Sequence, residues 1–407
     1  MTENPRLGIV EDAPLWWPNW KAREFTEKDQ CEIERYCRKI VENVSKEKGM
    51  TPWERWKTTL ALGIPDRPIV WMLVDPCAVS RALDCWSGSF KPGYDMYNYP
   101  ESFVKANLAY VAKFQHDQVC AYTLWGAITM VEWGGSCRVR MSPNMQPAPI
   151  DPPVKTEADW DRIHMPDVHR DGFLPLSIWA FRKIKEFMNK YGVSEVMPLM
   201  TFTEIVVDLG AVCILMGMRW GMAAMKRTPE LCHKACKLLL THNIDFIKAM
   251  QEAGADISMS SKENNWQGLE VAKQFQKYDV ELAKAVDRGN HIFLGSTVGD
   301  AGAELENQCA VGGYGTGWYL PNDIPYDVQR RVATKYKKVF LCETTKVPLL
   351  TRKASDVAES VKQGIKACAG PGFVVATNQD AHATIENLDT YVRTAKEYGR
   401  EVYKGLK

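Results

Sequence analysis

The chain has almost no charge imbalance: 51 Lys and Arg stand against 50 Asp and Glu over 407 residues, a formal net charge of +1. A nucleic-acid footprint needs a strong basic excess or a basic patch, and the sequence has neither. A long uninterrupted apolar run is also missing. The most apolar stretch, Ile205 to Met225, carries Asp208 and Arg219 and is spaced by Gly210, Gly217 and Gly221, so it reads as a buried helix rather than a membrane span. The N-terminus, MTENPRLGIVED, lacks the apolar segment and cleavage site of a secretory signal. A soluble, cytoplasmic protein is expected. The 12 cysteines lack framework spacing and read as free thiols. Cys232 and Cys236 sit one helical turn apart and read as small buried residues, not as a metal pair. No internal repeat, low-complexity tract or linker is present.

What is there suits one large α/β domain. Apolar residues make up 45% and charged residues 25%, ordinary globular values that allow a large core. One closed barrel with insertions can organise a chain of this length. Residues 1–25 are rich in Pro and Trp, follow no period, and read as an irregular arm over the body. Thr26 to Lys48 reads as a helix opened by the capping pair Thr26 and Asp29. A second helix opens at Thr51-Pro52-Trp53-Glu54, with N-cap, Pro and acid in register, and stops at Gly63. Short apolar runs of strand type follow at Ile69–Val74, Val196–Met200, Gly254–Met259, His291–Gly295, Lys338–Cys342 and Phe373–Thr377, with helical stretches between them. Strand, loop and helix in repetition imply parallel strands joined by right-handed crossovers. One domain with an N-terminal extension is the simplest account.

Several segments carry a resemblance. Gly49-Met50-Thr51-Pro52-Trp53-Glu54-Arg55, Ala61-Leu62-Gly63 and Asp66-Arg67-Pro68 are similar to the opening of the uroporphyrinogen decarboxylase superfamily. Glu132-Trp133-Gly134-Gly135, the Lys155–Pro166 stretch, Pro198 with Phe202, Thr228-Pro229-Glu230, Glu252-Ala253-Gly254-Ala255-Asp256 and Glu386-Asn387-Leu388 follow in the superfamily's order. The resemblance covers about residues 49–405. It implies an N-terminal extension over 1–48 and a (β/α)8 TIM barrel over 49–407 that is either a porphyrinogen decarboxylase or a methyltransferase serving corrinoid proteins. Decarboxylases of this kind have an Arg-rich segment after the first strand to hold a substrate with many carboxylates. Here Trp71 to Arg81 holds one arginine, with Asp75 where positive charge is wanted, so the bidentate partners are missing.

Methyl transfer from an ether to reduced cobalt needs the leaving oxygen stabilised by a Lewis acid or a proton. Donor residues for that task belong at the C-terminal ends of barrel strands. Four places qualify: Ser261-Lys262-Glu263, His291, Cys342-Glu343, and Asn378-Gln379-Asp380-Ala381-His382. Imidazole, thiolate and carboxylate all suit zinc, and His291, Glu263, Glu270 and Cys342 are the candidate ligands. The resemblance to aromatic O-demethylase methyltransferases implies two acids followed by a histidine. Glu270 and His291 match the second spacing, but Ala255 stands where the first acid is expected, with Asp256 beside it. The His-x-Cys pair of the thiol-alkylating relatives is absent. Each candidate has a plainer reading: a hydrogen-bonded core histidine for His291, a surface helix acid for Glu270, a loop acid or cap for Glu263, a buried small hydrophobe for Cys342, and a helix cap for His382.

Glu204, Asp380 and His382 are the candidate catalytic acids, with Asp117 and Glu132 as weaker ones. Trp71, Trp125 and Trp266, together with Asn378, are the candidate walls of a flat aromatic pocket, although tryptophans equally pack barrel to helices. The reading that results is a methyltransferase moving a methyl group from a methoxylated aromatic compound to the Co(I) corrinoid of a partner protein, assisted by zinc. The cobalamin belongs to the partner, since no corrinoid-binding motif is present. A decarboxylase-type lyase, a methylamine or thiol methyltransferase, and a non-catalytic docking barrel are the alternatives. A homodimer stays open.

Overall fold

The computed structural model describes residues 9–10, 25–73, 79, 83, 100–122, 139–142, 145–149, 152–163, 165–170, 174–203, 209–261, 269–294, 301–313, 315–320, 324–345, 352–377 and 383–406. Helix α1 (Glu27–Lys46) opens on a complete capping box: Asp29 N donates to Thr26 Oγ1, and Thr26 N donates back to the Asp29 carboxylate. Helix α2 (Pro52–Leu60) repeats the device with Thr51 and Glu54, and has Pro at its first turn. Both starts lie where the sequence signals place them.

Eight parallel strands follow: β2 (Ile69–Met72), β3 (Val119–Tyr122), β6 (Leu199–Thr203), β7 (Ile257–Ser261), β8 (His291–Leu294), β9 (Gly317–Leu320), β10 (Val339–Thr345) and β11 (Phe373–Thr377). They pair in the order β2-β11-β10-β9-β8-β7-β6-β3. That is chain order around a ring, the order a (β/α)8 barrel requires. Its two ends, β2 and β3, are joined through Asp117, whose amide donates to Val70 O at 2.9 Å while its carboxylate accepts from Val70 N at 2.7 Å. Two further strands, β4 (Val139–Ser142) and β5 (Met145–Pro149), form a hairpin to which β1 (Ile9–Val10) adds antiparallel.

The crossovers include α3 (Pro100–Phe114), α4 (Leu174–Lys190), the short α5 (Val193–Val196), α6 (Leu209–Met216), α7 (Met218–Arg227), α8 (Pro229–Glu252), α9 (Leu269–Val286), α10 (Ala301–Val311), α11 (Tyr326–Tyr336), α12 (Ala354–Cys368) and α13 (Ile385–Lys404). The apolar stretch Ile205 to Met225 is broken at Gly217, whose φ of +79° separates α6 from α7. No helix among the described residues is long and apolar enough to cross a membrane. Val196 closes α5, so β6 starts later than the apolar run suggests. Strands β3 and β9 have only four residues each and escape a sequence reading. Helix α1, outside the expected barrel range, packs on α3: Asn43 Nδ2 donates to Ala112 O at 3.2 Å, and Lys105 pairs with Asp29 and Glu32.

Candidate active site at the C-terminal end of the barrel

Strand register decides which side chains face the barrel interior. Cys342 lies beside Leu320 of β9 and Val375 of β11, and its thiol rests against Cys368 of α12. Thr344 points the same way, since a Cβ on Gly364 of α12 would collide with Thr344 Cγ2. This face looks outward at the helices. Side chains alternate along a strand, so Glu343 faces inward. Glu343 is level with Ala376 of β11, which is level with Trp71 of β2. Trp71 confirms the assignment, because its Nε1 lies 3.0 Å from Met200 Sδ on β6, across the interior. Phe202, Met259, Ile292 and Leu341 share this inward face by register. It is apolar and aromatic until it reaches the Glu343 carboxylate.

The sequence candidates fall into three groups. Trp125, Glu204, Glu263, Trp266, Asn378, Asp380 and His382 lie outside the described residues, as does Glu132. Trp71 faces the interior and is fully buried. The remaining three, His291, Glu270 and Cys342, are placed where they do not converge.

His291 stands level with Ser258, and two residues on, Phe293 is level with Trp318 on the face that Cys342 shares. His291 therefore lies on the outward side of the sheet. Both ring nitrogens are engaged, Nδ1 with Ser258 Oγ at 2.8 Å and Nε2 with Ser260 Oγ at 2.9 Å. Burial pushes its pKa down to about 4, so the ring is neutral near pH 7. Its backbone N donates to Asp287 Oδ1 at 3.0 Å. His291 is thus a buried histidine with both ring nitrogens hydrogen-bonded within the sheet. Glu270 sits in the first turn of α9, its side chain 83% exposed, and pairs with Lys273 three residues on. Cys342 is held in its thiol form by burial, which raises its pKa well above the ordinary value. Among the described residues no group of three or more His, Cys, Asp and Glu could hold a metal ion.

Glu343 is the residue that sequence reasoning passed over in favour of its neighbour. In a run buried on both faces there is no alternation to set the phase of the strand. Only the tertiary contacts of Cys342 and Thr344 decide it.

The opposite, N-terminal end of the barrel is closed by charge. Arg67 donates to both oxygens of Asp117, at 2.6 and 2.8 Å, and to Glu47 Oε1 at 2.5 Å. Arg55 makes a second fork onto Asp66 at 2.7 and 2.9 Å. Lys396 and Arg400 of α13 reach Glu47 from below. Burial works to raise the Glu47 pKa, but its hydrogen bond to Arg67 and the surrounding cations outweigh that and lower it to about 2. Asp117, a weak candidate acid in the sequence, is thus a buried structural anion at the wrong end for catalysis. Groups at this face of a barrel serve stability.

A barrel of eight parallel strands in chain order, its N-terminal end locked by ion pairs, defines a class of α/β-barrel protein. The family model described as uroporphyrinogen decarboxylase (URO-D) matches residues 52–398, and the chain belongs to that family. Among solved structures, a methyltransferase from Methanosarcina mazei is similar, with a TM-score of 0.70 at 17% identity, covering 86% of this chain and 99% of that one. A B12-independent methionine synthase from Shewanella sp. W3-18-1, in complex with selenomethionine, matches with a TM-score of 0.39 at 11% identity, covering 56% of this chain and 67% of that one. No curated protein matches the chain.

Proposed function

We propose that the protein is a methyltransferase that takes a methyl group from a methoxylated aromatic compound and passes it to the Co(I) corrinoid of a partner protein in the cytoplasm. The observation that carries this reading is the chemistry of the interior face. Its described positions, from Trp71 and Met200 to Met259 and Leu341, hold no basic residue. Among the described residues the fully buried arginines, Arg55 and Arg67, lie at the far end with their guanidinium groups already on carboxylates. A porphyrinogen with many carboxylates needs free guanidinium forks, and the described interior supplies none. A neutral ring with a methoxy group needs only apolar walls and one polar contact to orient it. The similarity in fold to a protein titled as a methyltransferase is in keeping with this choice.

The transfer forms a carbon–cobalt bond and breaks the methyl–oxygen bond, leaving the electron pair on the aryl oxygen. That oxygen must then be protonated or neutralised. Glu204 follows β6 directly in the chain, and Asp380 and His382 follow β11 within five residues; these remain the proposed proton donors. Trp125, Trp266 and Asn378 remain proposed contacts to the ring. The described residues do not assemble a zinc site, because His291, Glu270 and Cys342 do not converge. Metal content per chain, measured on anaerobically purified protein, tests directly whether Glu263 and the residues after β11 form one.

The decisive experiment mixes purified protein, a reduced corrinoid protein and a methoxyarene, and follows methyl-cobalt absorbance together with release of the phenol. Both should rise in equal amounts. If no methoxyarene, amine or thioether donates a methyl group, the proposed activity is wrong.

A further inference from the structure

Beneath the barrel, beside the ion pairs, the packing leaves a small cavity. Asn43 and Glu47 from the C-terminal end of α1, His116 and Asp117 from the turn into β3, and Lys396 from α13 line it, together with apolar side chains. It offers about 10 Å³, the room that one water molecule needs. His116 is fully buried, and neither of its ring nitrogens has a hydrogen-bond partner among the described residues. Buried polar atoms are nearly always satisfied. Gln118 lies against the ring, but its Nε2 donates to Met72 O at 3.2 Å and its Oε1 has no partner in hydrogen-bonding geometry. Burial pushes the His116 pKa down to about 4, so near pH 7 the neutral ring carries one N–H and one lone pair. The Lys396 ammonium has three donors, one of them on Glu47 Oε2 at 2.9 Å. An anion in this cavity would meet the carboxylates of Glu47 and Asp117, and an apolar group would leave the ring unsatisfied. A water molecule fits both the size and the polarity, because it can accept from the ammonium and donate to the imidazole.

We propose that this cavity is a hydration site, in which one water molecule accepts from Lys396 Nζ and donates to a ring nitrogen of His116. The water links α13 to the turn before β3 and completes the base formed by the ion pairs of Glu47, Arg67 and Asp117. Helix α1 forms one wall, so the site exists only with that helix docked. Neither the water nor its partners take part in the proposed methyl transfer.

The test is a crystal structure of the full chain, wild type and His116→Phe, at a resolution that shows ordered water. Wild type should hold one water within about 3.2 Å of both a His116 ring nitrogen and Lys396 Nζ. In His116→Phe the water loses its acceptor, and its density should disappear. Water-oxygen magnetic relaxation dispersion in solution should count one long-lived water fewer in the variant than in wild type. If His116→Phe does not fold, Lys396→Met carries the same comparison, because it removes the donor. A His116 ring bonded directly to Gln118 Oε1, with no water in the cavity, overturns the proposal. So does a water that touches neither His116 nor Lys396, or one that persists unmoved in the folded variant. Crystals grown in bromide add one more arm: an anomalous peak in the cavity would mean that an anion holds the place, and the hydration site would be wrong.

Discussion

Cys342 and Glu343 are adjacent in the chain and face opposite sides of β10. The thiol packs against Cys368 of α12, and the carboxylate looks into the barrel from beside Ala376. This pairing assigns the two residues different work. Cys342 ties strand to helix, and Glu343 lies on the interior side of the sheet. Replacing Cys342 by Ala should cost about 1–2 kcal/mol of stability through the small cavity left behind, with metal content and ligand binding unchanged. Urea midpoints and metal analysis check this, and loss of a metal ion in the variant would return Cys342 to the site.

The second expectation concerns His291. Its ring bridges Ser258 and Ser260 on the neighbouring strand, with all three side chains buried. His291→Ala leaves two buried hydroxyls without their partner and opens a cavity, for a loss of about 2–4 kcal/mol. His291→Gln, which can keep one of the bonds, should recover part of it. Any metal bound by wild type should stay bound in both variants. Loss of metal in a folded His291→Ala protein would restore the histidine as a ligand.

Ion pairs under the barrel set a third. Removing Arg67 leaves Asp117 as a buried charge with its main partner gone, so Arg67→Met should destabilise by about 3–5 kcal/mol. The double variant Arg67→Met with Asp117→Leu should recover much of that, because no unpaired charge remains. Chemical denaturation of both proteins gives the comparison. Equal loss in single and double variants would mean that Asp117 matters chiefly through its hydrogen bond to Val70 N.

Acid sensitivity follows from four groups. Burial lowers His116, His242 and His291 to about 4 from an ordinary 6.5. Between those values the unfolded chain binds protons that the folded chain does not, so stability falls as pH drops from about 6.5 to 4. Each buried histidine contributes up to about 3 kcal/mol over that window. Glu47, lowered to about 2 from 4.5, adds stability present above 4.5 and lost as pH falls towards 2. Melting temperatures should therefore decline steadily below pH 6.5, and His242→Phe should flatten the upper part of the decline. A flat profile between pH 4 and 6.5 would contradict the burial of these rings.

Helix α12 approaches β10 as closely as a glycine allows, since a Cβ at Gly364 would strike Thr344 Cγ2 and Cβ. Thr344 is β-branched and cannot swing aside. Gly364→Ala should destabilise by about 1–3 kcal/mol through overpacking. Thr344→Ser in the same chain should relieve most of the stability loss.

Much of this protein is determined by local sequence. The capping boxes at Thr26 and Thr51 start their helices from side-chain hydrogen bonds that any chain with those residues can make. Alternating apolar runs and helical stretches oblige parallel strands and crossovers, and the motifs from Thr51 to Glu386 carry the family. The tertiary structure decided the rest. Which of two neighbours, Cys342 or Glu343, faces the interior depends on the phase of a strand buried on both sides, which composition does not encode. Whether His291 meets a ligand or two serines depends on β7 lying beside it. That Asp117 belongs to Arg67 and Glu47 rather than to a substrate depends on bringing together residues from α1, α13 and the starts of two strands. Local hydrogen bonds act over a few residues and can be read along the chain, whereas facing, burial and charge pairing arise only once the barrel closes.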